Sequence, residues 1–326
     1  MIDCCGRKID YLRISVTDRC NLRCIYCMPE GGVKLVDRSM ILQEPELVRI
    51  SRVMAELGIC KIKLTGGEPL VRPGMPSLIR QLKEIPGIQK VTLTTNGVLL
   101  KDQMRDLTEA GLDGLNISLD SLNEECYKRI AGRNYLHETM EGIREALRYP
   151  EVSLKINCVP LGLEEQELCE IAELARKYLI HVRFIEMMPI GYGKEFRGMQ
   201  EAELTELLEQ HFGKLIPYEG EKIGNGPCHY YSVEGFIGKI GFISAISHKF
   251  CKECNRIRLT SQGYLKTCLQ YTAGRDLREV VRSGGTDEEL KNMIREALAE
   301  KPEGHAFLEK APEDETEKLC MSQIGG

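Results

Sequence analysis

Apolar and polar positions alternate with period two near the N-terminus, where Leu12, Ile14 and Val16 are separated by Arg13, Ser15 and Thr17. That pattern predicts a strand. Over residues 44–57 the apolar positions shift to helical spacing, at Leu47, Ile50, Val53, Met54 and Leu57, and Gly58 stops the run. The two periods then take turns. Strands are expected at 61–65, 91–95, 115–119, 153–157 and 181–186. Helices are expected at 101–110, 123–131, 137–149 and 164–177, with another around Ile79 and Leu82 ahead of Pro86. Six strands alternating with helices from about residue 12 to 213 mean an α/β protein with a parallel sheet and right-handed crossovers. Periodicity alone does not choose between an open doubly wound sheet and a barrel.

The character changes near residue 215. Glycine- and aromatic-rich pieces appear, residues 238–246 read as a strand, and helices follow near 275–282 and 287–299. The tail from Lys301 is rich in Glu, Lys and Pro and ends in Gly325-Gly326; such a tail is mobile unless it docks. The expected organisation is therefore a domain over 1–213, a smaller α+β region over 214–300 and a tail over 301–326.

Composition narrows the function classes. A net charge of -5 gives no bulk basic field for nucleic acid, so any anion site must be local. No apolar run approaches the roughly 18 residues of a membrane span, and the first residues lack a signal-peptide profile. A soluble cytosolic protein is expected, with no membrane or nucleic-acid partner. Walker, nucleophile-elbow and zinc-helix motifs are absent.

The 14 cysteines matter through their placement, because six of them form two triplets. Cys20, Cys24 and Cys27 are spaced C-x3-C-x2-C on the loop after the first strand. Three thiolates from one loop can hold three irons of a [4Fe–4S] cluster and leave the fourth open; a zinc loop usually pairs C-x2-C with a second such pair. Cys251, Cys254 and Cys268 form the second triplet. On spacing alone zinc, with His248 or another fourth ligand, is level with iron–sulfur; beside a first cluster triplet, a second [4Fe–4S] cluster is favoured. The remaining cysteines are taken as small apolar residues. Arg256 and Arg258 follow the second triplet and share one face of an extended strand, making an anion clamp. Arg13, Lys61, Lys63, Lys155 and Arg183 are basic residues within expected strands, where an unpaired charge is costly. Together they suggest a basic cavity for a polyanion.

The first triplet, with an aromatic residue before its last cysteine, resembles the signature of the radical S-adenosylmethionine (SAM) enzymes. Further landmarks are Leu64-Thr65-Gly66-Gly67-Glu68-Pro69, Thr94-Thr95-Asn96-Gly97, Asn116-Ile117-Ser118-Leu119-Asp120, Arg183-Phe184-Ile185-Glu186-Met187-Met188, Cys251-x2-Cys254-Asn255-Arg256-Ile257-Arg258 and the closing Gly-Gly. In that order they resemble the GTP 3′,8-cyclase family over nearly the full length. The resemblance implies an incomplete (β/α)6 barrel of radical SAM type, with ligand chemistry at the C-terminal ends of its strands, and a C-terminal region carrying the second cluster. It implies that Cys20, Cys24 and Cys27 hold the SAM cluster, with Tyr26, Gly67, Ser118 and Met188 around SAM. Cys251, Cys254 and Cys268 would hold an auxiliary [4Fe–4S] cluster whose open iron meets guanine. Arg13, Lys63, Thr94, Lys155, Arg256, Ile257 and Arg258 would hold GTP, with Lys61 and Arg183 as weaker candidates, and the Gly-Gly tip would reach the active site. Position 63 is lysine where relatives often carry arginine, which keeps the charge but not the fork geometry.

The implied reaction is a radical cyclisation that opens molybdenum-cofactor biosynthesis. A 5′-deoxyadenosyl radical takes the ribose 3′ hydrogen of GTP, the C3′ radical attacks guanine C8, and reduction and protonation give the 3′,8-cyclo-7,8-dihydro nucleotide. The implied partners are a reductant, a second copy of the chain in a homodimer, and cyclic pyranopterin monophosphate synthase as the enzyme that takes the product. The rival readings are a peptide-modifying radical SAM maturase with an auxiliary cluster, and a non-catalytic iron–sulfur or zinc protein.

Overall fold

The structure, a computed structural model, describes residues 1–307 and 315–325. Six strands follow one another through the first part of the chain: β1 (Tyr11–Ser15), β2 (Lys61–Thr65), β3 (Lys90–Thr95), β4 (Gly114–Ser118), β5 (Ser153–Cys158) and β6 (His181–Ile185). Each pairs in parallel with the next, in the order β1-β2-β3-β4-β5-β6. The order runs one way without the reversal that defines a doubly wound sheet. Helices α1 (Glu44–Glu56), α2 (Met75–Glu84), α3 (Leu100–Glu109), α4 (Glu124–Ala131), α5 (Leu136–Ala146) and α6 (Leu168–Lys177) fill the crossovers. Local signals set their starts: Gln43 and Glu46 form a capping box on α1, and the Asn123 side chain accepts from the Cys126 N–H at α4.

The later part of the chain extends the same sheet. After α7 (Glu201–Phe212) come β7 (Ile216–Pro217), β8 (His229–Ser232), β9 (Ile240–Ile243), β10 (Arg256–Leu259), β11 (Tyr264–Lys266) and β12 (Gly274–Asp276). β9 lies parallel to β6 and β10 parallel to β1, so both edges of the six-stranded core gain a parallel strand; β7, β8, β11 and β12 add antiparallel. Helices α8 (Leu277–Arg282), α9 (Asp287–Ala299) and α10 (Met321–Ile324) complete the described elements.

Strand alternation divides the sheet into two unlike faces. Leu12, Ile14, Ile62, Leu64, Val91, Leu93, Leu115, Ile117, Ile156, Val182, Phe184, Ile257 and Leu259 are buried in one continuous apolar core. The other face carries Arg13, Lys63, Thr94, Asn116, Ser118, Lys155, Asn157, Arg183, Arg256 and Arg258. A one-residue slip of β10 would bury Arg258 in the apolar layer and expose Ile257. Burying an isoleucine contributes about 1.5–3 kcal/mol and an unpaired buried charge costs more, so the register is strongly specified.

Two expectations are corrected. The helix expected over 164–177 is two pieces, a short 3-10 turn at Glu164–Gln166 and then α6, broken at Glu167 in the left-handed region (φ 53°). The cause is Gln166, whose buried side chain accepts from the Leu161 N–H at 2.8 Å and donates to the Val159 carbonyl at 2.7 Å. The described part of the tail is docked: Lys301 and Ile324 are 3% and 1% exposed. Gly326 lies outside the described residues. No described helix is long and apolar enough to cross a membrane.

Candidate active site

The polar face of the sheet opens into a cavity of about 350 Å³. Cys20, Cys24 and Cys27 line it, and so do Cys251, Cys254 and Cys268, together with Arg13, Lys63, Arg183, Arg256 and Arg258. Two triplets separated by more than 200 residues therefore share one chamber with these five cations and with Lys301. Among the described residues, no three His, Cys, Asp or Glu side chains are grouped as ligands of a single metal ion.

The first triplet follows β1 directly. Its loop is anchored where the Arg23 N–H donates to the Ala131 carbonyl at 2.8 Å and the Ile25 N–H to the Ile130 carbonyl at 2.9 Å, at the end of α4. Burial pushes the Cys20 thiol up to about 11 and the Cys27 thiol up to about 12. Cys24 stands well above its ordinary value, by burial first and then by the nearby Cys27, Asp120 and Cys20. Three partly buried thiols whose ionisation is disfavoured suit a bound cationic centre, which deprotonates coordinating thiols outright. The donor set thus fits iron.

Around this loop the expected SAM residues Tyr26, Gly67, Ser118 and Met188 all line the cavity. Tyr26 donates its hydroxyl to Asp120 at 2.6 Å, and Asp120 also accepts from the Val159 N–H at 2.8 Å. Burial holds the Asp120 carboxyl up to about 6 despite both bonds. A Cβ at Gly67 would collide with the Arg19 carbonyl oxygen, so glycine here lets β2's exit pack on the backbone that leads into Cys20. Glu68 is occupied by its own chain: it accepts from Thr95 Oγ1 at 2.6 Å, the Asn96 N–H at 2.7 Å and the Leu70 N–H at 3.0 Å.

The second triplet is wrapped by both ends of the chain. Arg7 donates to the carbonyls of Cys251, Pro302 and Glu303, and the His305 N–H donates to Cys251 Sγ at 3.4 Å. Burial would raise Cys254, but the Lys301 ammonium and the Arg256 guanidinium outweigh it and bring the thiol down to about 7. Arg256 stacks over Phe250, 4.9 Å from the ring centre. Arg258 reaches the tail, donating to the Gly325 carbonyl at 2.5 Å. A Cβ at Gly325 (φ 79°) would stand 3.0 Å from Ser15 Cβ, so the tip lies against β1.

Register builds the cation row. Arg13 is opposite Lys63 across β1–β2 and opposite Arg258 across β1–β10. Burial and mutual repulsion push every one down where a shift is resolved: Arg13 to about 10, and Lys63 and Arg258 well below their ordinary values. The carboxylates among the described lining residues are engaged elsewhere. Glu68 and Asp120 are held as described, and Glu186 accepts from the N–H groups of Ile246 and Ser247 at 2.6 and 2.9 Å. A row of buried cations packed in register is suited to a polyanion.

Not every expected residue reaches the cavity. Thr94 lines it and accepts from Asn116 Nδ2 at 3.2 Å. Lys155 is on the same face but donates to Ser153 at 2.6 Å and is absent from the lining. Ile257 is fully buried on the apolar face and is likewise absent from the lining. Lys61 pairs with Asp10 at 2.8 Å. Among the lining residues without an expected role are Asp120, which sits in a landmark; Asn157, which accepts from Arg183 at 2.5 Å; and Lys301, which reads as part of a mobile tail. Strand parity with Lys155 was the available signal for Asn157. Lys301 carried none.

Residues 14–175 match the radical SAM superfamily and residues 180–307 match molybdenum cofactor synthesis C. GTP 3′,8-cyclase of Clostridium perfringens (strain 13 / Type A) is 44% identical over 328 residues, covering both chains fully. That of Syntrophomonas wolfei is 44% identical over 330 residues, again over the full length of both. Among solved structures, Streptococcus suis SuiB bound to S-adenosylmethionine superposes with a TM-score of 0.64 at 16% identity, over 92% of this chain and 73% of that one. The native anSMEcpe structure with bound AdoMet gives 0.57 at 16% identity, over 91% and 82%. At such identities the two structures speak for the fold alone, whereas the full-length relatives establish kinship: the chain belongs to the GTP 3′,8-cyclase family of radical SAM enzymes.

Proposed function

We propose that this chain converts GTP to (8S)-3′,8-cyclo-7,8-dihydroguanosine 5′-triphosphate, the first step of molybdenum-cofactor biosynthesis. The observation that carries the reading is one chamber lined by two cysteine triplets and a row of buried cations brought into register across neighbouring strands. Cys20, Cys24 and Cys27 hold the [4Fe–4S] cluster that binds SAM, and Tyr26, Gly67, Ser118 and Met188 enclose the SAM side of the cavity. When bound, cluster and SAM supply the carbon-centred radical that removes a ribose hydrogen. Cys251, Cys254 and Cys268 hold a second [4Fe–4S] cluster. Its support is the donor set itself, three thiols lining the cavity that the first triplet also lines, since a cluster takes one thiolate per iron.

The chain's own residues do the positioning. Arg13, Lys63, Arg256 and Arg258 neutralise the triphosphate and fix its distance from both triplets, with Thr94 as a neutral donor. Lys155 and Arg183 extend the positive field along β5 and β6, and Ile257 contributes only backbone. The buried walls exclude water and oxygen from a radical, and the Gly325 turn closes the cavity over Arg258. The sheet acts as the incomplete (β/α)6 barrel of radical SAM type, over 1–213. Residues 214–300 form the auxiliary-cluster region and 301–326 the closing tail. A reductant for the clusters, a second copy of the chain in a homodimer, and cyclic pyranopterin monophosphate synthase as the acceptor of product complete the proposal.

Anaerobic incubation with dithionite, SAM and GTP tests it. GTP-dependent formation of the cyclised nucleotide alongside 5′-deoxyadenosine is the expected result. Zinc without sulfide in the anaerobically prepared protein would sink the cluster assignments.

A further inference from the structure

Lys301 follows α9 and is 3% exposed. Its Nζ donates to Cys254 Sγ at 3.8 Å, to the Arg256 carbonyl at 3.1 Å and to the Thr267 carbonyl. An ammonium carries three protons, and each has an acceptor here. Among the described residues, no carboxylate forms an ion pair with it. The contrast is Arg7, the neighbouring buried cation, which is paired with Asp3 at 2.6 Å. A buried charge needs a counter-charge within reach. At Lys301 the group in that position is the sulfur of Cys254.

We propose that Lys301 is a positioning residue for the auxiliary cluster, the built-in counter-cation that raises its reduction potential and ties together the two stretches bearing its ligands. This rests on the reading of Cys251, Cys254 and Cys268 as cluster ligands. Reduction adds one negative charge to the cluster. A fixed cation donating an N–H to a ligand sulfur stabilises the reduced form more than the oxidised one, and hydrogen bonds to cluster sulfurs are a known lever on potential. The other two N–H bonds are structural. The Arg256 carbonyl opens β10 just after Cys254, and the Thr267 carbonyl immediately precedes Cys268, so one ammonium holds the two arms at a set separation.

The ammonium is itself held from behind. Cys4 Sγ donates to the Lys301 carbonyl at 3.1 Å, and Arg7 donates to the carbonyls of Pro302 and Glu303, both at 2.7 Å. The N-terminal segment thus clamps the backbone that carries Lys301, which is the support a tuned site needs.

The test uses the full chain, reconstituted anaerobically, with Cys20, Cys24 and Cys27 replaced by alanine so that only the auxiliary cluster titrates. Lys301→Gln keeps donors and loses the charge; Lys301→Arg keeps the charge. Iron and sulfide are counted, and the cluster is titrated by electron paramagnetic resonance against a redox scale. K301Q should lower the reduced-to-oxidised ratio at the parent midpoint at least tenfold, a shift of about 59 mV for one electron, while K301R stays near the parent. Loss of iron in K301Q but not K301R also supports a required cation. An unshifted midpoint in fully loaded K301Q overturns the inference, as does equal loss of iron in both variants, which would leave Lys301 a packing residue. A parent that binds no iron and sulfide overturns the underlying cluster reading instead.

Discussion

Arg13 and Arg258, 245 positions apart in the chain, stand directly opposite each other across the parallel pair β1–β10. Like charges in register on a buried face are unfavourable unless something anionic joins them. Among the described residues, the guanidinium of Arg258 donates to the neutral Gly325 carbonyl at 2.5 Å. Replacing Arg258 with alanine should therefore weaken GTP binding by one to two orders of magnitude, since a charged hydrogen bond contributes about 1.5–3 kcal/mol. SAM binding should be retained. Anaerobic calorimetry with each ligand separates the two, and an unchanged GTP affinity removes Arg258 from the site.

Gly67→Ala should disrupt the first triplet rather than the fold. The added methyl meets the backbone of Arg19, one residue before Cys20. The expected outcome is loss of the iron bound by Cys20, Cys24 and Cys27, read as a fall in iron and sulfide, with unchanged far-ultraviolet circular dichroism. Full iron loading in the variant contradicts the packing argument.

Under the proposed function, the positive field of Lys155 along β5 links GTP binding to pH. Burial, then Arg183 and Lys90, pulls its ammonium from 10.5 down to about 7 in the empty chain. The depressed value means the folded chain binds fewer protons than the unfolded chain between 7 and 10.5, so this group makes the empty protein more stable as pH rises through that window. A triphosphate favours the charged form and reverses the shift. GTP binding above pH 7 should take up protons and weaken as pH rises. Calorimetry in buffers of different ionisation enthalpy measures the uptake; Lys155→Met should reduce it, and buffer-independent heats would contradict the assignment.

Arg7→Met should destabilise the chain by about 3–5 kcal/mol, because it strands the buried Asp3 carboxylate. The pair sits at 2.6 Å with side chains 6% and 0% exposed. Denaturant unfolding of the apo chain measures the loss. A change under about 1 kcal/mol would place the pair with ordinary surface ion pairs.

Much of the site was legible because strand alternation is a strict period. Once residues 12–17 and 61–65 were read as strands, Arg13 and Lys63 had to share faces with their own polar neighbours. Alternation is silent about register, so it could not pair Arg13 with Arg258. It was equally silent about Asp10, the partner that occupies Lys61. Helical spacing over 164–177 was read through Glu167 because the inward hydrogen bonds of Gln166 are tertiary and leave no local trace. Residues 238–246 were recognised as a strand, but that it would lie against β6, with β10 against β1, depends on packing far along the chain. The polar composition of the tail suggested mobility; Lys301 is buried because its three donors find acceptors that no local pattern announces.

The central claim is that this chamber removes one particular hydrogen from GTP, and GTP deuterated at the ribose 3′ carbon tests it most directly. With SAM and dithionite under anaerobic conditions, the 5′-deoxyadenosine formed should carry the deuterium and appear together with the cyclised nucleotide. Unlabelled 5′-deoxyadenosine, produced equally with and without GTP and with no cyclised product, would contradict it.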